Sequence, residues 1–319
     1  MKKILTIILC SALVMISGCD KYDFDQEQFR KEVNLLSNSN LVYDRQVAEL
    51  QQGGDTLFVV ASLSGSQATD EPVTVVLQHS DTLLRAYNKS NFDINKARFA
   101  KYLPEECYEF PTMEMNISAG SSKAMFPVYL KNLEKISPDS IYFLDYKIDP
   151  EKTPNYNPDK SHVLLRIYKE NYYATTKTST YYNYTSSTIV IPNPSGSPEV
   201  RRPTNANQVF PIGANSVRMM AGDEDLGDYK TARSRIVSKS IILEIGEQQP
   251  ENPQARELTI RAHDRVNDVE VDPVDVVQLT PIDDYDNTFL LNAIRTPDGR
   301  ATYYKEFRLH YKYRLQPTD

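Results

Sequence analysis

No tryptophan occurs anywhere in the chain. That removes the largest aromatic platform on which a sugar ring could lie. Cysteine is almost as scarce, with Cys10, Cys19 and Cys107 the three examples. The first two belong to the opening stretch, so Cys107 stands alone and no intrachain disulfide can form. With no histidine nearby in sequence, it reads as a buried, inert thiol and not as a nucleophile. The four histidines, His79, His162, His263 and His310, lie in separate segments. None has the i, i+4 spacing of a helical zinc pair, and His263 and His310 are expected on wet strand faces. There is no Gly-x-Ser-x-Gly elbow, since Ser195 and Gly196 sit in a proline-rich loop. Basic residues do not dominate: 36 Lys and Arg face 43 Asp and Glu, giving a net charge of −7 and a pI near 5.3. A nucleic-acid partner is excluded on that balance, because such binders carry a basic stripe or a pI above about 9. Long amphipathic helices, heptads and internal repeats are absent from the pattern. The apolar run at the amino terminus is itself shorter than the roughly 20 residues needed to cross a bilayer as a helix.

What is present begins with that amino terminus. Lys2 and Lys3 precede an almost unbroken apolar run from Ile4 to Ile16, closed by Ser17, Gly18 and Cys19. A basic start, a short apolar segment and small residues at its end make a secretory signal. The ending resembles a bacterial lipobox, with Ile16 where that family prefers Leu. The resemblance implies cleavage after Gly18 and lipid on Cys19; the other reading is an ordinary cleaved signal followed by a free cysteine. A diacylated cysteine supplies the two chains that stable anchoring needs. The expected location is the outer membrane, facing the exterior. Residues 19–30 read as an acidic tether, beginning Asp20-Lys21-Tyr22-Asp23. Its acidity resembles the surface-export signal of Bacteroidetes lipoproteins, and equally suits a solvated linker.

The remaining length, about 300 residues, suits two domains. Twenty-one Tyr and 19 Pro against 11 Gly favour strands with proline-marked loops. Residues 31–168 read as a sandwich of short strands. Leu57, Val59, Ala61 and Leu63 alternate, as do Val73, Val75 and Leu77. Arg45 to Gln51 reads as a helical turn or loop, and Asp81 to Tyr87 as a turn or short helix before a polar stretch. Phe110 to Ile117, Lys123 to Leu130, Ile141 to Ile148 and Val163 to Tyr168 complete the set. Residues 169–319 form a second β domain, with strands at Ser216–Met220, Ser240–Ile245, Glu257–Ala262, Val274–Leu279 and Thr288–Ile294. The last strand has the clearest pattern. Phe307, Leu309, Tyr311, Tyr313 and Leu315 share one face, and Glu306, Arg308, His310, Lys312 and Arg314 the other. One face is buried and one wet, as in the wall of an antiparallel sheet or barrel, and a slip of one residue would bury the charges.

Three constellations could carry chemistry. The clusters Asp223-Glu224-Asp225 and Asp283-Asp284-Tyr285-Asp286-Asn287 offer oxygen ligands for calcium, without the full loop pattern; turn formation accounts for them as well. Two suitably spaced carboxylates for glycoside hydrolysis would occur by chance among 43 acidic residues. The third is Tyr172, Tyr173, Tyr181, Tyr182 and Tyr184 with interleaved Thr and Asn. Aromatic faces flanked by polar groups suit sugar rings, so these tyrosines are the candidate ligand-binding residues. The plainer reading packs them into the domain core.

Two stretches carry a family resemblance. One is Asp81-Thr82-Leu83-Leu84-Arg85-Ala86-Tyr87-Asn88 with Tyr102-Leu103-Pro104, Tyr108 and Ile117-Ser118-Ala119-Gly120. The other joins the Tyr-rich entry, Arg202-Pro203, Phe210-Pro211 and the ending Phe307-Arg308-Leu309-His310-Tyr311-Lys312-Tyr313. Together they resemble Bacteroidetes two-domain surface lipoproteins of unknown function, a DUF1735-type domain followed by a DUF4361-type domain. The resemblance implies an all-β chain: an Ig-like sandwich, then a lipocalin-like or β-barrel domain. It also implies a link to glycan-uptake systems. It carries over no catalytic residue and no cofactor; Cys19 alone has a role to transfer. The expectation is a non-catalytic glycan-binding surface protein, with the membrane, a glycan and outer-membrane uptake proteins as partners. The alternatives are a structural or adhesive lipoprotein and, behind it, a hydrolase or hydrolase accessory.

Overall fold

The computed structural model describes residues 27, 29–51, 54–204, 206–227, 232–266, 269–295 and 298–316. The signal 1–18, Cys19 and the tether as far as Gln26 lie outside them. Glu27 lies inside, and its carboxylate is well held. It accepts from the backbone N–H groups of Ser66 (2.9 Å) and Gln67 (3.1 Å), from the Ser66 hydroxyl (3.1 Å) and from Phe29 N–H (3.1 Å). These bonds, with Ser66 N–H the strongest, bring its carboxyl down to about 2.

The first half is a two-layer β sandwich. One sheet runs Val33–Leu35, Asp55–Leu63, Lys123–Leu130, Tyr108–Glu109; the other runs Val42–Tyr43, His162–Ile167, Tyr142–Ile148, Val73–His79, Glu114–Ile117. Alternation fixes what lies between them. Leu57, Val59 and Ala61 point inward with Phe126, Val128 and Leu130 from one sheet, meeting Val75, Leu77, Leu144 and Tyr146 from the other. Pro127 interrupts its strand harmlessly because it lies opposite Phe58, and the Gln46 side chain takes up the Phe58 N–H (2.8 Å) and C=O (2.7 Å) in place of a neighbouring strand. The strand Tyr142–Ile148 is buried on both faces, since the helix Thr82–Phe92 covers its outside through Leu84 and Tyr87 against Phe143 and Leu164. That helix continues past the expected short turn. Leu84, Tyr87 and Asn88 share one face at helical spacing, and Asn88 gives and receives backbone bonds with Ala100 at 2.9 and 2.7 Å. Of the two readings of residues 45–51 the loop holds, with the short strand Ala48–Glu49 inside it. One further expectation is corrected. The strand expected from Phe110 starts only at Glu114, because Pro111 has no N–H for a ladder and Phe110 instead stacks on Tyr146 at 4.6 Å.

The second half is an antiparallel seven-stranded sheet curled almost into a barrel. Its order is Thr180–Tyr182, Asn207–Gly213, Ser216–Met220, Ser240–Gln249, Asn252–Ala262, Thr288–Arg295, Ala301–Arg308. Val217, Met219, Ile241, Leu243, Leu258, Ile260 and Phe289 fill its interior, so the barrel is packed and not hollow. The final strand alternates as its sequence requires: Phe307, Leu309, Tyr311, Tyr313 and Leu315 all pack on that core. Its hydrogen bonding, however, divides. Ala301–Arg308 belongs to the large sheet, while Tyr311–Arg314 pairs with Asp275–Gln278. Asn287 manages the crossing: its side chain accepts from His310 N–H (2.7 Å) and donates to Leu279 C=O (2.9 Å).

The two halves meet through buried charge. Arg218 of the barrel grips Asp139 of the sandwich with two bonds of 2.5 and 2.7 Å, and only 2% of the Arg218 side chain is exposed. The guanidinium also lies 4.4 Å from the Phe210 ring centre. Beside it, Lys169 Nζ donates to the carbonyls of Leu133 (3.1 Å) and Ile136 (2.7 Å), and burial brings its ammonium down to about 7.

Candidate functional site

The barrel sheet ends on one side at Thr180–Tyr182 and on the other at Ala301–Arg308. These strands are not hydrogen-bonded neighbours; aromatic rings bridge them. Tyr182 and Phe307 approach to 4.8 Å between ring centres, Phe307 and Phe289 to 5.3 Å, and Phe289 and Tyr173 to 4.8 Å edge to face. Such contacts contribute about 0.5–1.5 kcal/mol per pair beyond burial. The Tyr182 hydroxyl donates to Tyr173 C=O at 3.0 Å. Burial raises the pKa of both phenols, and the charge of Arg256 offsets part of the rise at Tyr173.

One end of this seam opens to solvent and forms the candidate site. Asn171 sets it up locally. Its side-chain oxygen accepts from Tyr173 and Ala174 N–H (3.0 and 2.9 Å), and its amide donates to Gly213 and Ser216 C=O (2.8 and 3.0 Å). The resulting turn sends Tyr173 inward and Tyr172 outward, where 54% of Tyr172 is exposed. Lys305 Nζ sits 3.9 Å from the Tyr172 ring centre and donates to its carbonyl. Burial lowers the pKa of the Lys305 ammonium. Tyr303 shares the Lys305 face by the strand period and is 61% exposed. Arg256 lies directly across from Phe289 in the register, hence on the same face, and bonds Gly246 C=O at 3.3 Å. The opening is therefore a lip of two exposed phenols and two cations over a packed aromatic floor.

The structure brings together Tyr172, Tyr173 and Tyr182 of the five sequence candidates. Tyr181 alternates to the outer surface of the barrel and stands apart from them. Tyr184 sits elsewhere, in a clamp on Gly222: its hydroxyl donates to Gly222 C=O and accepts from Asn207 (2.9 Å), while Gly222 N–H donates to the Tyr311 hydroxyl (2.7 Å). Gly222 has φ +53°, and a Cβ there would run into the Tyr313 hydroxyl. Burial pushes that Tyr313 hydroxyl up to about 12. Phe289, Tyr303, Lys305 and Arg256 were not singled out from sequence, and Phe307 only as an inward residue of the last strand. Their only signal is strand alternation, which gives a face but no neighbour.

Several other chemistry-bearing groups are engaged. Asp223 pairs with Arg201 at 2.5 Å and Glu224 with Lys239 at 2.8 Å, while Asp286 accepts from the Thr288 hydroxyl at 2.5 Å. His263 and His310 are half-buried where exposure is expected, because Nδ1 of each meets a backbone carbonyl, of Asp264 (2.9 Å) and Thr280 (2.7 Å). Cys107 is fully buried, and burial raises the pKa of its thiol. Two clefts of about 440 Å³ exist, one among sandwich loops beside Lys31, Thr74 and Lys152, one between Leu133 and Ala214 where the halves meet. Neither is lined by an aromatic ring.

Comparison with known proteins agrees with this architecture. A family model described as an N-terminal domain matches residues 29–155, and one described as C-terminal matches residues 161–319. The chain belongs to the two-domain family that these N-terminal and C-terminal models describe. Solved structures share the fold over most of both chains. A multidomain protein including DUF1735 from Bacteroides ovatus is similar at 18% identity and TM-score 0.54, covering 89% of this chain and 95% of that one. A Bacteroides ovatus protein of unknown function is similar at 18% identity and TM-score 0.55, over 89% and 93%. An auxiliary nutrient binding protein from Bacteroides thetaiotaomicron is similar at 17% identity and TM-score 0.53, over 87% and 94%. No curated protein matches the chain.

Proposed function

We propose that this family member is a lipid-anchored outer-membrane protein, held at Cys19 and facing the exterior. It binds glycan without cleaving it, as a component of a polysaccharide-uptake system whose other outer-membrane proteins are its partners. The observation that carries the reading is the barrel lip, where Tyr172 and Tyr303 expose aromatic faces above a floor of Tyr173, Tyr182, Phe289 and Phe307. Sugar rings have apolar faces that such phenols can cover while hydroxyls meet the polar rim. One protein of the same fold, an auxiliary nutrient binding protein from Bacteroides thetaiotaomicron, supports a binding role.

The test is calorimetric titration of the detergent-solubilised chain against soluble host, plant and microbial glycans. A hit without product release is expected. Tyr172→Ala should weaken it about tenfold, the scale of one lost stacking contact. Unchanged affinity in that variant, or released product, would remove the reading.

A second reading, adhesion to another protein, has its own observation. The two-stranded ribbon Ile189–Ile191 with Glu199–Arg201 pairs Val190 with Val200, 58% and 63% exposed. Exposed apolar ribbons with free edges suit strand addition. Retention of an outer-membrane protein that is lost in Val190→Thr/Val200→Thr, with no glycan response, would favour it.

A further inference from the structure

Two cations border the lip without a carboxylate. Lys305 touches the Tyr172 ring and carbonyl, and Arg256 reaches only Gly246 C=O. Among the described residues neither has an acidic side chain within ion-pair distance. Several other cations of this domain are matched: Arg201 to Asp223, Lys239 to Glu224, Arg261 to Glu244 and Arg314 to Asp275. A chain of net charge −7 has carboxylates to spare, yet places none here.

We infer that the glycan bound at this lip is anionic, its carboxylate or sulfate groups meeting Lys305 and Arg256 while a sugar ring covers Tyr172. The inference rests on the glycan reading of the same lip. Its chemistry follows from the groups present. An ammonium has three donors, and Lys305 uses one on the Tyr172 carbonyl. A guanidinium offers a fork that takes a carboxylate or sulfate on two parallel bonds. Lys305 stands over the exposed Tyr172 ring, which a neutral sugar could also use, so the charge discriminates while that ring supplies shared affinity. Attraction of this kind weakens as salt screens it.

The experiment uses matched ligands on the full chain. Oligogalacturonate is compared with its methyl ester, and dextran sulfate oligomers with dextran. Each pair shares a sugar backbone and differs in charge. The acidic member should bind at least about tenfold more tightly, the scale of a charge-assisted contact, and lose that advantage as salt rises. Lys305→Gln with Arg256→Gln should bring the two members of a pair to within about twofold, while Lys305→Arg keeps the preference and shows that charge, not folding, is read. Preference in the galacturonate pair alone assigns carboxylate; preference in the dextran pair alone assigns sulfate. Neutral members binding as tightly as acidic ones overturn the inference and leave the glycan reading standing. Silence from both members of both pairs and from the wider panel overturns the two together.

Discussion

Asp145 is a carboxyl in an awkward place, only 3% exposed in the central strand of the sandwich. One oxygen accepts from Leu84 N–H at the start of the helix, at 3.4 Å; the other has no partner. Burial raises its pKa from 3.8 to about 6, against the pull of the Leu84 and Leu83 N–H groups. The folded protein therefore holds this proton more tightly than the unfolded chain does. Linkage then makes its contribution to stability complete below about pH 4 and lost as pH climbs through about 6. Asp145→Asn keeps an acceptor for Leu84 and carries no charge. The variant should gain on the parent as pH rises from 4 to 7, measured as the difference in urea midpoints. A constant difference over that range would mean that Asp145 does not titrate there. Little of this was legible in sequence, because a single Asp between apolar neighbours does not reveal that a helix will cover it.

The strand Ala301–Arg308 closes the barrel with rings where hydrogen bonds are missing. Phe307 sits between Tyr182 and Phe289, so Phe307→Ala should cost about 3 kcal/mol, the low end for a phenylalanine that is not fully buried. Tyr182→Phe removes one bond to a carbonyl and should cost about 1 kcal/mol. Near-ultraviolet circular dichroism reads both, since tyrosine dominates that spectrum in a chain without tryptophan. If Phe307→Ala lowers stability no more than Tyr182→Phe does, the rings do not hold the seam. Element by element, the sequence pattern was informative where one face is wet. Lys123–Leu130 starts and stops where alternation puts it. It failed where a distant residue decides. The split at Leu309 and His310 depends on the Asn287 side chain, 23 residues earlier, and alternation continues through it undisturbed. The candidate site divides similarly. Tyr172, Tyr173 and Tyr182 were visible as a local cluster, whereas Lys305 arrives from 133 residues away.

At the scale of the molecule, the Asp139–Arg218 pair ties sandwich to barrel. Breaking a buried pair leaves an uncompensated charge, which costs about 3–5 kcal/mol, whereas replacing both partners by apolar groups is far milder. Arg218→Met alone should therefore be severe, and Asp139→Leu with Arg218→Met should recover most of the loss. A double-mutant cycle by urea denaturation measures the coupling; strictly additive losses would show that the contact does not join the two halves energetically. The all-β, two-domain architecture was readable from turn spacing and alternation. The junction was not, because Asp139 lies in a loop and Arg218 on an otherwise apolar strand, and neither sequence neighbourhood names the other.

Glu27 has a consequence for distance. Only seven residues lie between Cys19 and it, and the eight steps from one to the other span at most about 29 Å when fully drawn out. With its carboxylate seated on the 65–67 turn, a lipid on Cys19 would be on a short leash, and the sandwich would lean close to the bilayer while the barrel takes whatever height the sandwich provides. Length added to the tether beyond Glu27 would not release the protein from the surface; length added before it would.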